Sequence, residues 1–308
     1  AMIRTIVLTN PGGETLALDL FEPWNTGIAV KNVDGLGPGK ADINTTDLAL
    51  TDSALFNGSR VQKRTISLTL VPMETPTQDV EQSRQKIYRF CQIKQPVRIT
   101  VYADHRQVYT DGYVESSEPD IWSNLESHKI SILCPYGYWY DNREDASDLI
   151  NFDVEEPAFE FSWEDPLPDS PTLEFSRTLS DKTAVVNYEG DVEAGFLLRI
   201  KILKANPLPI TLTETVWRQT MKLTGKWTPS ATAYQPSVGD TIEVDTRVGR
   251  KGIYLEKPNG TRYKGMYFLD FNSDWLLMHP GRNEFHYTMA DKTAVDIRFT
   301  TDITYQGV

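Results

Sequence analysis

Apolar and polar residues alternate with a period of two along most of this chain, the signature of half-buried β-strands. Ile66, Leu68 and Leu70 alternate with Thr65, Ser67 and Thr69, and Val97, Ile99 and Val101 with Arg98, Thr100 and Tyr102. Leu198, Ile200 and Ile202 do the same against Arg199 and Lys201. Pro258-Asn259-Gly260 separates two Tyr-containing runs, and Asn-Gly in that setting predicts a hairpin turn. One segment breaks the rule. Thr75-Pro76-Thr77-Gln78 reads as an N-cap, a first-position proline and a capping-box glutamine. Val80, Ile87, Phe90 and Cys91 follow at helical spacing, and Pro96 stops the run. The pattern predicts one amphipathic helix, about 77–93, lying against a sheet.

Charge then divides the chain. The 308 residues carry 31 basic and 43 acidic side chains, a net charge of −12. Eleven of the acidic residues and only Arg143 among the basic ones fall between 141 and 169, together with Pro157, Pro166 and Pro168. The remainder is nearly neutral. An acidic, proline-bearing stretch between two β-patterned halves predicts a boundary near 140–142, after the aromatic cluster Tyr136-Gly137-Tyr138-Trp139-Tyr140. Within it, Phe152, Val154, Phe159 and Phe161 predict that parts form edge strands.

Composition narrows the classes of function. An acidic chain repels phosphate backbones, which argues against direct nucleic-acid binding. No apolar run approaches the roughly 20 residues that span a bilayer, so no membrane insertion is expected. No charged-then-apolar leader is read at the start, and Cys91 and Cys134 have neither disulfide-framework nor zinc spacing. A soluble protein with two reduced, buried thiols is expected.

The sequence carries no catalytic signature. Gly35-Leu36-Gly37-Pro38-Gly39-Lys40 superficially matches a phosphate loop, but Ala41 replaces the required Ser or Thr and strand-like Ile43 and Asn44 follow where a helix is needed. A structural turn is expected. His279 and His286, seven apart around Pro-Gly, make a poor metal pair, and neighbouring carboxylates such as Glu155-Glu156 and Glu164-Asp165 are unspecific. No catalytic residue, metal ligand or cofactor is assigned, and no enzyme is expected. One constellation could bind carbohydrate by stacking aromatic faces on sugar rings: Trp217, Trp227, Tyr234 and Trp275, set near Thr-, Asn- and Gly-rich turns.

The order of motifs resembles the distal tail protein (Dit) family of long-tailed, non-contractile bacteriophages and prophages. An opening strand pair, IRTIVLTNPGGETLALDL, is followed by IAVKNVDGLGPGKAD with its GLGP turn, then TDSALFNGSRVQKRTISLTL, the helix, and HKISILCPYGYWY. In the second half NYEGDVEAGFLLRIKI, GDTIEVDTRVGRKGIYL and SDWLLMHPGRNEFHYTM are similar to the family's motifs in the same order. The resemblance runs from about Ile3 to Thr304. Its departures are Gly39-Lys40 after GLGP and the unusually charged 141–169 stretch.

The resemblance implies a mainly β fold in two domains. Residues 2–140 would form a β-barrel-like, ring-forming domain with one α-helix, and 141–308 a galectin-like or carbohydrate-module-like β-sandwich. It implies a structural virion protein at the tail tip, made and assembled in the cytoplasm of the bacterial host. Six copies would close into a ring that joins the major tail tube protein to the tail-associated hub protein and anchors a receptor-binding protein. A projecting arm, about 42–64, would grip the neighbouring subunit, with Leu48, Leu50, Leu55, Phe56, Arg60 and Arg64 as its contacts and Asn57, Gly58 and Ser59 between them. The alternative is a cell-wall carbohydrate-binding module at the tail tip without a ring-forming role.

Overall fold

The computed structural model describes residues 3–47, 52–123, 125–143, 149–151, 183–226 and 234–308, the backbone alone at 149–151. The protein is mainly β and divides into two units, 1–146 with 303–308, and 147–302.

The first unit contains β1 (Ile3–Thr9), β2 (Thr15–Asp19), β3 (Ile28–Asp34), β4 (Ala41–Asp47), β5 (Ala54–Val61), β6 (Arg64–Pro72), the helix α1 (Val80–Phe90), β7 (Pro96–Ala103), β8 (Gln107–Asp120), β9 (Ser127–Cys134) and β10 (Trp139–Asp141). Seven of these strands form an antiparallel sheet in the order β2-β1-β7-β8-β9-β6-β3. Its two edge strands, β2 and β3, follow one another in the chain and touch, so the sheet curls toward a barrel. The alternation fixes which face is inside. Ile66, Leu68, Leu70, Ile99 and Val101 are fully buried, and Val97 nearly so, in a core shared with Ile6, Leu8, Leu18 and Trp139. Full burial of each such side chain stabilises by about 1.5–3 kcal/mol. Strands β4 and β5 leave this sheet and pair only with each other.

The helix closes over the core through Ile87 and Cys91, and Ser83 Oγ donates to the Met73 carbonyl at 3.0 Å. It begins later than 77. Asp79 is the N-cap: its carboxylate accepts from the Gln82 amide at 2.7 Å, and Gln82 Oε1 accepts from the Asp79 amide at 3.3 Å. The expected box, Thr75 with Gln78, is a turn of reciprocal backbone bonds one turn upstream, with Pro76 inside it. Asp79 wins because a carboxylate facing the positive end of the helix dipole is the stronger cap. The helix also ends at Phe90, short of 93.

The second unit contains β11 (Leu149–Asn151), β12 (Thr183–Tyr188), β13 (Phe196–Ile202), β14 (Ile210–Glu214), β15 (Gln219–Leu223), β16 (Thr241–Asp245), β17 (Gly252–Glu256), β18 (Arg262–Lys264), β19 (Gly281–Thr288) and β20 (Val295–Thr301). A sheet β11-β20-β13-β16-β17-β18 packs on a second, β12-β19-β14-β15. Phe196 and Phe299 from the first meet Phe285 from the second at centroid separations of 5.7 and 5.1 Å, in the interdigitated layer expected of a sandwich. The Asn259-Gly260 turn joins β17 to β18 as predicted, with Gly260 at φ 81°. Of the acidic stretch, 149–151 form an edge strand on β20. The alternation at Phe152, Val154, Phe159 and Phe161 lies outside the described residues.

The chain does not stay in the second unit to its end. Residues 303–308 return to the first, where β21 (Thr304–Tyr305) pairs with β10. The division expected at 140–142 therefore differs from this one at 141–143 and in the last six residues, which lie with the first unit. The second unit is an insertion, and its two connections meet where the Asp141 amide donates to the Ile303 carbonyl at 2.9 Å.

Candidate functional site

The hairpin β4–β5 stands apart from both cores. No described residue in it is buried. Ile43, Leu55 and Phe56 are 64, 56 and 61% exposed. Its register shows why these residues matter. Ala41 faces Val61 and Ile43 faces Ser59; then the ladder shifts, leaving Asn57 extra, and Thr45 faces Phe56. Cross-strand partners share a face. One face thus gathers Ala41, Ile43, Ala54, Phe56 and Val61 together with Thr45, Asp47 and Ser59, while the other carries Asp42, Asn44, Thr46, Gly58 and Arg60, with Leu55. Simple alternation from Val61 would put Phe56 on the polar side. The β-bulge at Asn57 moves it to the apolar side, the re-aiming that bulges perform.

The polar face is tied internally. Asp42 accepts from Gln62 and from Arg60 Nε, the latter at 3.1 Å. Those hydrogen bonds, Gln62 first, hold its carboxyl below the usual range. Asn57 Nδ2 donates to Thr46 Oγ1 at 2.6 Å. Leu48 and Leu50 lie outside the described residues.

Arg64 is not an arm contact. It is 4% exposed and sits beneath the hairpin's root, 5.4 Å from the Trp139 ring. Its guanidinium donates to the carbonyls of Gly35 (2.7 Å), Gly137 (2.8 Å), Gln306 (2.7 Å) and Gly37. Burial lowers its pKa, and the converging carbonyls are what make a buried cation tolerable. This also disposes of the phosphate-loop likeness: Gly35 and Gly37 turn carbonyl oxygens, and not N–H groups, toward their ligand. Gly35 has φ 91°, and a Cβ there would lie 2.2 Å from the Thr65 carbonyl oxygen, so glycine is required.

The four aromatics proposed for carbohydrate have separate surroundings. Trp217, half exposed, stacks on His279 at 4.3 Å and 22° between rings. His279 Nδ1 lies 3.1 Å from Glu193 Oε1. Trp275, partly buried, has Lys251 Nζ 5.6 Å from its ring centroid, and Tyr234 leans on the buried Phe268 at 5.8 Å. Trp227 lies outside the described residues. Trp217 is the one of the three with a flat, supported ring and an accessible face. His286 projects from β19 opposite the buried Phe285 and Tyr287. Among the described residues no three His, Cys, Asp or Glu side chains gather to hold a metal.

Sequence reasoning missed Ile43 and Val61, whose strand pattern was visible but whose shared face depends on the bulge. It also missed the β8–β9 tip, where Ile121 and Trp122 follow Pro119-Asp120.

A curled antiparallel sheet with one helix and an extruded hairpin, interrupted by an inserted β-sandwich, defines the fold class. No protein-family model matches the chain, and no curated protein sequence matches it. Solved structures do. SPP1 Dit (gp 19.1), described as a paradigm of the hub adsorption apparatus in phages infecting Gram-positive hosts, aligns with a TM-score of 0.58 at 11% identity, over 96% of this chain and 98% of that one. A chain of the phage P2 baseplate in its activated, Ca-bound conformation aligns at 0.48 and 13% identity over 100% of both. The fold implied by the sequence motifs, that of the distal tail proteins, is the fold of this chain.

Proposed function

We propose that this protein is a structural component of a phage or prophage tail tip, a hub subunit that closes into a ring, expected to be hexameric. The ring would join tail tube to tail-tip hub and anchor receptor-binding components. The observation that carries this reading is the β4–β5 hairpin: an arm in which no described residue is buried and which holds Ile43 and Phe56 on one face at 64 and 61% exposure, with Val61 resting against Gly137 at its root. A two-stranded hairpin is marginal alone in water. An exposed apolar face on such an arm is the signature of a surface that a partner completes. A head-to-tail contact of this kind generates a ring when the rotation closes. The shared fold with SPP1 Dit over nearly the whole of both chains supports the same reading. Its setting would be the virion, after assembly in the host cytoplasm.

The test is light scattering with negative-stain microscopy on the purified full chain, alone and with tail-tip partners. Rings are expected from the native protein and monomers from Phe56→Asp. A native chain that stays monomeric at every concentration and gives no ring with partners would sink the reading.

A further inference from the structure

Of the four aromatics expected to stack on sugar, Trp217 is held by more of the second unit than a surface side chain needs. Three connections of that unit converge on it: the turn 215–218 between β14 and β15, the segment 189–195 between β12 and β13, and residues 275–280 leading into β19. Glu214, the last residue of β14, is fully buried. Its carboxylate accepts from the Trp217 amide on one oxygen and, at 2.9 Å, from the Glu284 amide on the other. The Thr215 amide and hydroxyl both donate to the Glu284 carbonyl, at 2.9 and 3.3 Å. Arg218 closes the turn at φ 57°, a conformation uncommon outside glycine. A carboxylate costs free energy to bury, and here its hydrogen bonds order the turn that presents Trp217.

The ring is fixed as firmly as its backbone. His279 is buried and lies beneath the indole, 4.3 Å away and 22° from parallel. Asn283, also buried, holds the His279 backbone: Oδ1 accepts from its amide at 2.8 Å and Nδ2 donates to its carbonyl at 2.7 Å. Reciprocal backbone bonds between Ala194 and Met278, at 2.9 and 2.8 Å, set Glu193 beside His279. His279 Nδ1 is there 3.1 Å from Glu193 Oε1. With one face covered by the imidazole, the half-exposed indole turns its other face to water. A platform ordered in advance loses little freedom when a ligand settles on it.

The surroundings choose the ligand. An open indole face accepts the C–H face of a pyranose ring and excludes water from it. Glu193 is exposed, and its carboxylate has acceptor sites beyond the one His279 uses, able to take sugar O–H groups. Positive charge is close as well: Arg218 is exposed in the turn itself, and Arg282 pairs at 3.0 Å with Glu284, the residue to which the turn is tied. Surroundings carrying both signs of charge suit a neutral, hydroxyl-rich ligand better than an anion or a cation. We propose that Trp217 is the stacking platform of a saccharide site on the second unit, for a neutral hexose or N-acetylhexosamine, with Glu193 accepting its hydroxyls. The site does not depend on ring formation.

Saturation-transfer NMR on the full chain tests this, with maltotriose, galactobiose and chitotriose as probes and choline as a cationic comparison. Transfer to the ring C–H protons of at least one sugar is expected, and Trp217→Ala should weaken its binding by about tenfold or more. Trp217→Phe, which keeps a flat face over His279, should retain part of the binding, and Trp275→Ala should leave it unchanged. Should Trp217→Ala lose the native circular dichroism, Glu193→Ala at an exposed position decides in its place, and should weaken the same sugar severalfold. No transfer to any of the three sugars, equal binding by Trp217→Ala, or transfer to choline in place of sugar overturns the proposal. None of these outcomes bears on ring formation, which light scattering on the same samples reads separately.

Discussion

His128 shows how one side chain can carry a pH dependence for the first unit. It lies on β9 with Ser117 Oγ 2.6 Å from Nε2, its ring edge-on to Tyr88 at 5.2 Å, and its Nδ1 buried without a partner. Burial first, and then the charge of Arg84, lowers its pKa below the ordinary value. The unfolded chain therefore takes up this proton before the folded one does. Its contribution to stability is fully present above the ordinary histidine pKa of about 6.5, and is lost as pH falls through the lower folded value. Urea unfolding of the full chain, followed in the first unit, should show stability declining between about pH 7 and 5. In His128→Gln that slope should be shallower; an unchanged slope would place the effect elsewhere. The helix cap teaches the same lesson about local choice. The cap expected at Thr75 is set aside for one four residues later, Asp79 with Gln82, which only the structure brought out.

At the scale of elements, the bulge in β5 decides what the arm presents. Pairing keeps Thr45 opposite Phe56 because Asn57 is accommodated as an extra residue. Two length changes separate the effect of the bulge from that of the arm's mere presence. Deleting Asn57 leaves a regular ladder with Phe56 still opposite Thr45, on the apolar face. Inserting one threonine between Asn44 and Thr45 gives Asn57 a partner and turns Phe56 to the polar face. The deletion is expected to keep ring formation and the insertion to abolish it, read by light scattering, with the curled sheet's circular dichroism unchanged in both. Equal assembly by the two variants would show that the phase of Phe56 is irrelevant. The resemblance pointed to an arm at about 42–64, but not to this phase, because a bulge is set by pairing and not by either strand alone.

For the whole molecule, the insertion of the second unit gives the last six residues a role their position conceals. Tyr305 Oη donates to Asp141 Oδ2 at 2.9 Å, the Gln306 carbonyl accepts from Arg64, Arg106 donates to the Gly307 carbonyl at 3.1 Å, and the Val308 amide reaches Leu36 at 3.2 Å. Truncation after Asp302 is therefore expected to destabilise the first unit, to which these residues are remote in sequence. The second unit, to which they are adjacent in sequence, should be spared. A buried cation that loses an acceptor, with the exposure of Trp139, is worth about 3 kcal/mol. Hydrogen exchange should show faster exchange in β6, β9 and β10 with little change in β13 and β16; the reverse pattern would contradict the insertion. The net charge of −12 also has a whole-molecule meaning. Most of it belongs to 141–169, which leaves the rest of the chain nearly neutral, so that copies packing as proposed would meet little mutual repulsion.

The sequence by itself determined the elements: strands at Ile66–Leu70, Val97–Val101 and Leu198–Ile202, one helix, the Asn259-Gly260 hairpin, and the absence of a phosphate loop after GLGP. All of these are local. Burial of one face imposes a period of two or 3.6 on neighbouring residues, and a turn needs its glycine in place. Tertiary structure alone decided that Arg64 is a buried tie and not an arm contact, that Phe56 shares a face with Ile43, and that 303–308 belong with the first unit. Each depends on a partner far along the chain, Gln306 lying 242 residues from Arg64. A cation beside polar residues reads the same in sequence whether it faces water or four carbonyl oxygens; only the fold supplies the oxygens.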